Sequence, residues 1–148
     1  MFLSKEIFTT VLDSTPLVSI DLLVENAKGQ ILLGERKNRP AQGYWFVPGG
    51  RILKDESLAE AFKRLTVEEL GQSLLISEAR LQGPYDHFYS DSVFGNSPST
   101  HYVAIAYRVN VKELPDLPEE QHSHYRWYSV DELLADARVH QHTKAYFL

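Results

Sequence analysis

The chain has 148 residues, 43% of them hydrophobic and 24% charged, and a formal net charge of −5; these values fit one globular domain, residues 1–148, around one core. It has no cysteine, which excludes a disulfide framework and a thiolate-held zinc site, so any metal must sit on oxygen or imidazole ligands. The acidic balance excludes general nucleic-acid binding, and the apolar stretches are too short and interrupted to span a membrane. Residues 1–16 lack the basic-then-apolar layout of a signal peptide, so a cytoplasmic location is expected.

Residues 4–13 predict a short helix capped by Ser4, with Phe8, Val11 and Leu12 on one side, and Thr15-Pro16 ends it. Leu17 to Glu25 reads as a strand, Asn26 to Gly29 as a turn, and Gln30 to Glu35 as the return strand of a hairpin. Trp45 to Val47 is a short apolar strand closed by Pro48-Gly49-Gly50. Residues 56–70 give the clearest helical period, with Gly71 as its stop. Strands are predicted near 79–89 and 101–111, with a loop inside 84–100. Tyr125 to Tyr128 is a last strand, Val130 to Asp136 a helix with an acidic first turn, and 139–148 a further turn or two. Strands flanked by a few helices make the fold class α+β.

The central helix contains an anomaly. With Leu58 at zero on a helical wheel, Phe62 lies at roughly 40°, Leu65 at roughly 340° and Glu69 at roughly 20°, in the middle of the apolar stripe. A carboxylate held against a core must be paired, protonated or bound to a cation. Fraying near Gly71 would release Glu69 to solvent, but the Pro-Gly-Gly turn before the helix can aim backbone carbonyls at a cation. Arg64 can orient Glu68 one turn on, and Glu60 and Arg64 form a second candidate pair. A carbonyl, a carboxylate and waters suit Mg²⁺. Arg36, Arg39, Arg51 and Arg64 cluster around the turn and could face the phosphates that accompany such a cation.

The run Gly50, five residues, Glu56, seven residues, Arg64-Leu65-Thr66-Val67-Glu68-Glu69-Leu70-Gly71 resembles the Nudix box, G-x5-E-x7-R-E-U-x-E-E-x-G-U, where U is aliphatic. Leu65 stands where the box has glutamate, and Thr66 and Gln72 stand at aliphatic positions. With one of three clustered carboxylates gone, the chain is expected to hold one metal ion per site. Water attack at phosphorus, the usual reaction, is also put in question. The whole chain resembles the GDP-mannose mannosyl hydrolase subgroup of the Nudix family, in runs several of which lie outside the box. The matching runs are Ser14 to Ser19, Asn38 to Gly50, Arg64-Leu65-Thr66, His87-Phe88-Tyr89, Thr100-His101-Tyr102, Glu120-Gln121-His122, Tyr125-Arg126-Trp127 and Ala145-Tyr146-Phe147.

The resemblance implies a Nudix-type α/β/α sandwich with a mixed β-sheet, usually a homodimer. It implies Mg²⁺-dependent hydrolysis of GDP-α-D-mannose, or of GDP-glucose or GDP-fucose, to GDP and the β-sugar, with water attacking sugar C1. By position, His122 is the base, with His124 as local competitor. The Gly49 carbonyl, Glu69 and Gln121 are the ligands of one Mg²⁺ or Mn²⁺. Arg36 and Arg51 support the departing GDP. Asp21, His87 and Tyr102 face the sugar and leaving group, and Phe8 faces guanine. Each of these residues also has an ordinary reading: solvated arginines, loop His122 and Gln121, a strand carboxylate facing water, and a helical Phe8 in the core. Two other functions stay open. A conventional Nudix pyrophosphohydrolase would cleave the substrate at phosphorus, which the retained Glu68 favours, and a nucleotide-sugar sensor on the same fold would not cleave it.

Overall fold

The computed structural model describes residues 2–112 and 122–148, with only the backbone described for residues 122 and 123. Helix α1 spans Lys5–Ser14, and the Ser4 hydroxyl accepts the Ile7 amide to start it. Strand β1 runs Leu17–Glu25 and β2 Ile31–Arg36, joined through the turn that Gly29 closes at φ +75°. Strand β3 is Trp45–Phe46, β4 is Gly49–Arg51, and helix α2 is Leu58–Leu70. Strand β5 runs Arg80–Tyr89, β6 Thr100–Asn110 and β7 His122–Tyr128, before helices α3 (Val130–Ala135) and α4 (Gln141–Ala145).

The described strands form one mixed sheet in the order β3-β2-β1-β6-β5, with β4 paired to β1 and β7 to β2. β1 is parallel to β6, and the other pairings are antiparallel. Alternation along β1 divides the core. Ile20, Leu22 and Val24 face α2 and pack with Ala61, Phe62, Leu65 and Leu70. Leu23 belongs to the opposite face, with Ile31, Leu33, Tyr128, Leu133 and Tyr146, beneath α3 and α4. The expected α+β sandwich is therefore the observed one. No helix among the described residues is long and apolar enough to cross a membrane.

Two local expectations are corrected. Leu58 is 43% exposed, because Ser57 is the N-cap and the first turn projects before α2 meets the sheet; the buried stripe starts at Ala61 and Phe62. Glu60 does not pair with Arg64. Its carboxylate returns to the Ser57 amide in a capping box, and Arg64 takes Glu56 instead. Gly71 closes the helix as expected, left-handed at φ +73°, with its N–H on the Val67 carbonyl. Thr66, at an aliphatic position of the sequence pattern, is fully buried, and its hydroxyl accepts the Leu74 amide.

Candidate active site

Strand β4 and α2 build one end of the site; Gly49-Gly50, expected as a turn, is instead paired with Asp21 and Ile20 of β1. Glu69 is only 4% exposed, and its Oε1 accepts the Gly49 N–H at 3.3 Å. Burial pushes its carboxyl up to about 7, partly offset by that amide and by the positive field of Arg36. Gly49 pairs with Asp21 across β1 and β4, so close that a Cβ there would strike the Ile20 carbonyl oxygen and lie 2.5 Å from Asp21 Oδ1. Leu65 is buried against Gly50, where a Cβ would meet its Cδ2 at 2.5 Å. The position where the box carries a carboxylate is thus filled by hydrocarbon.

Arg64 brackets this end. Its Nε donates to Glu56 Oε2 at 2.7 Å and its Nη2 to Glu56 Oε1 and the Arg51 carbonyl, both at 2.9 Å. Its Nη1 donates to Glu68 Oε2 at 3.1 Å. The fork ties α2 to the loop before it and leaves the Arg64 charge facing carboxylates. All of these Arg64 bonds are to the protein itself.

Strand register supplies the other end. Asp21 on β1 and His87 on β5 lie on the α4 side of the sheet, and both are buried. The Tyr146 hydroxyl bonds Asp21 Oδ2 and lies 3.2 Å from His87 Nε2. Burial raises Asp21 to about 7 against the lowering effects of Tyr146 and Arg36. Burial, with His142 and His140 adjacent, pushes His87 down to about 3, so its imidazole is neutral. His140 is likewise pushed down to about 4, first by burial and then by His142 and Arg36.

Three adjoining pockets meet between these ends. One holds Gly49, Gly50, Arg64, Glu68 and Glu69. One holds Asp21, Phe46, Val47, His87 and Tyr89. The third holds Phe8, Leu12, Asn38, Arg39 and Val93. Arg36, Arg51 and Tyr102 line all three. Arg36 is held by its Nε on the Pro40 carbonyl at 2.9 Å, and the Arg51 guanidinium lies 4.7 Å from the Phe8 ring centroid. Of the residues singled out in the sequence, Asp21, Arg36, Gly49, Arg51, Glu69, His87 and Tyr102 surround one cleft, with Phe8 at its far side. Gln121 lies outside the described residues. So does the His122 side chain, although its backbone opens β7 opposite Arg36. Tyr146, His140 and His142 were not foreseen as site residues; their signals are that 142 and 146 stand one helical turn apart and that Tyr146 lies in the run Ala145-Tyr146-Phe147 that shares in the resemblance.

A family model for the NUDIX domain matches residues 15–148. The chain belongs to the Nudix family of hydrolases. It is 42% identical over 113 residues, 76% of this chain and 70% of the relative, to the low-salt glycan biosynthesis protein Agl8 of Haloferax volcanii. Its fold superposes on a MutT Nudix hydrolase from Burkholderia pseudomallei at a TM-score of 0.73 and 27% identity, covering 90% of this chain and 96% of that one. The Nudix domain of Shewanella oneidensis NrtR, solved with ADP-ribose, superposes at 0.67 and 18% identity over 98% and 96% of the two chains.

Nudix hydrolases generally use divalent cations such as Mg²⁺. The residues here fit one. Glu69 is a buried carboxylate that burial alone disfavours as an anion, and a second carboxylate, Glu68, lines the same pocket, a donor type suited to a hard cation. Among the described residues, no three His, Asp or Glu side chains form a metal cluster. A cation would therefore draw its other ligands from the backbone, from substrate and from water.

Proposed function

We propose that this Nudix domain, residues 1–148, hydrolyses a GDP-linked hexose to GDP and the free sugar. GDP-α-D-mannose is the first candidate, with GDP-glucose and GDP-fucose as alternatives. The observation that carries the reading is the shared lining of the three pockets by Arg36, Arg51 and Tyr102. Two cations and a phenol at the junction suit a diphosphate, with a base-stacking ring on one side and a polar sugar pocket on the other. The names of two similar proteins, one concerned with glycan biosynthesis and one complexed with ADP-ribose, are consistent with a nucleotide-sugar ligand.

Gly49 through its carbonyl, Glu69 and Gln121 would hold one Mg²⁺ or Mn²⁺. When bound, that ion supplies charge neutralisation to the diphosphate. Arg36 and Arg51 pair with phosphate oxygens and stabilise the charge that builds on departing GDP. Tyr102 donates to the same region. Water attacks C1 while the C1–O bond breaks and its electron pair leaves with GDP. His122 accepts the water's proton, and inversion gives the β-sugar. Asp21, as a carboxylate, opposes the positive charge developing at the sugar ring, and neutral His87 exchanges a hydrogen bond with a sugar hydroxyl. The Phe8 face stacks on guanine. A cytoplasmic homodimer completes the reading.

Leu65 supports attack at carbon, since it removes a carboxylate from the end that serves phosphorus chemistry. One observation favours the second reading, cleavage at phosphorus to GMP and mannose 1-phosphate. Glu68 lines the same pocket as Glu69, and its side chain is 55% exposed although its Oε2 accepts Arg64 Nη1. Proton NMR of GDP-mannose incubated with the protein and Mg²⁺ decides. Appearance of β-mannose before mutarotation is expected; mannose 1-phosphate as the first product overturns the proposal.

A further inference from the structure

Helix α4 brings three side chains to the wall of the sugar pocket. His140 caps the helix, its Nδ1 accepting the His142 amide at 3.0 Å. The His142 ring stacks on His87 at 4.4 Å, 5° from parallel, and its Nε2 lies 3.0 Å from the Phe88 carbonyl oxygen. Tyr146 follows one turn later and is 3% exposed. It is held from both ends. Its backbone carbonyl accepts Gln82 Nε2 at 2.9 Å, and Gln82 in turn donates to the Tyr85 hydroxyl and accepts Arg108 Nε. The Tyr85 ring stands edge-on to the Tyr146 ring at 4.6 Å. The hydroxyl so anchored reaches Asp21 and His87 together.

We propose that Tyr146 is a positioning residue of the hydrolase: its hydroxyl fixes the Asp21 carboxyl and one tautomer of His87 toward the sugar. A phenol carries one proton. It can donate to only one of its two partners, so the other must donate to it. If Tyr146 donates to Asp21, His87 Nε2 must carry its proton. If it donates to His87, that nitrogen must be bare. Either direction leaves His87 in a single tautomer, and with it a defined donor or acceptor at Nδ1, which lies 4.0 Å from Asp21 Oδ2 on the side of the sugar pocket. The phenol also accounts for a buried carboxyl and a buried imidazole that would otherwise be undersatisfied.

The consequence for turnover rests on the reaction proposed above; the consequence for His87 does not. Tyr146→Phe keeps the ring and its packing but removes the hydroxyl. The kcat on GDP-mannose with Mg²⁺ should fall between about tenfold and about a hundredfold, the range of one hydrogen bond to a charged group. The inhibition constant of GDP, which reads the other end of the site, should stay within about twofold, since lost transition-state contacts lower kcat alone. The same substitution made in Asp21→Asn should cost less, because the two groups act as a unit. Side-chain ¹⁵N NMR should show a single His87 tautomer in the wild type and a mixture in Tyr146→Phe. A tautomer mixture in the wild type, His87 nitrogen shifts unchanged by the substitution, or GDP binding weakened in step with kcat each overturn the positioning role. Wild-type protein that leaves GDP-mannose intact overturns the reaction instead, and the nitrogen shifts then decide Tyr146 alone.

Discussion

The two ends of the cleft bury one carboxylate each and compensate it differently. Glu69 is 4% exposed and Asp21 6%, and burial lifts both to about 7. Glu69 meets a backbone amide twenty residues away in sequence. Asp21 meets a phenol 125 residues away. The first end is a strand-and-helix pocket lined by two carboxylates, Glu68 and Glu69; the second is closed by neutral hydrogen-bonding groups, Tyr146 and His87. Equal burial therefore does not mean equal chemistry. What surrounds a buried carboxylate decides which ligand it could serve.

Several substitutions can break or sharpen that contrast. The largest effect is expected from His122→Ala, which should lower turnover by about a hundredfold to about ten-thousandfold, the range of general base catalysis. GDP affinity should be little changed, and steady-state kinetics with GDP inhibition checks both. Next, Glu69→Gln should weaken Mg²⁺ binding by at least about tenfold in calorimetric titration, whereas Asp21→Asn should leave it nearly unaltered. Equal losses in the two variants would erase the distinction between the ends.

The two glycines give a smaller contrast. At Gly49 an added methyl meets backbone and Asp21, which cannot give way. At Gly50 it meets only the tip of Leu65. Gly49→Ala should cost about 3 kcal/mol or more and Gly50→Ala about 1 kcal/mol in urea unfolding. The smallest effect is a pH slope. Glu69 titrates at about 7 when folded, against 4.5 as its unperturbed value. Its protonated form favours folding below pH 4.5, and that contribution is lost as pH rises through 7. Metal-free wild type should therefore lose stability relative to Glu69→Gln between pH 5 and pH 8. His87 and His140, pushed down, give slopes of the opposite sign in both proteins and cancel in the difference. A difference independent of pH would show that Glu69 stays ionised.

The burial of Glu69 was legible because its contacts are local. A glycine turn, a helix period and the spacing from Gly50 to Gly71 fall in one continuous stretch, so a carboxylate in an apolar stripe could be noticed before any coordinates. Strands β1 and β6 were legible from their apolar and β-branched runs. The errors also have local causes. Leu58 counted as core because periodicity does not mark where a helix first touches its sheet. Glu60 looked free to pair with Arg64 because helical spacing alone does not register the Ser57 capping box that competes for it. Tyr146 and His142 were illegible as site residues. Nothing near them in sequence calls for a partner, and their contacts cross 59 and 125 residues for Tyr146 alone. Asp21 showed only that something must answer its charge, not what.

Attack at carbon rather than phosphorus is the claim on which the roles of Asp21, His87 and Tyr146 depend. Hydrolysis of GDP-mannose in ¹⁸O-labelled water with Mg²⁺, followed by mass spectrometry of both products, tests it most directly. The label is expected in free mannose, with unlabelled GDP. Label in a phosphate product contradicts it.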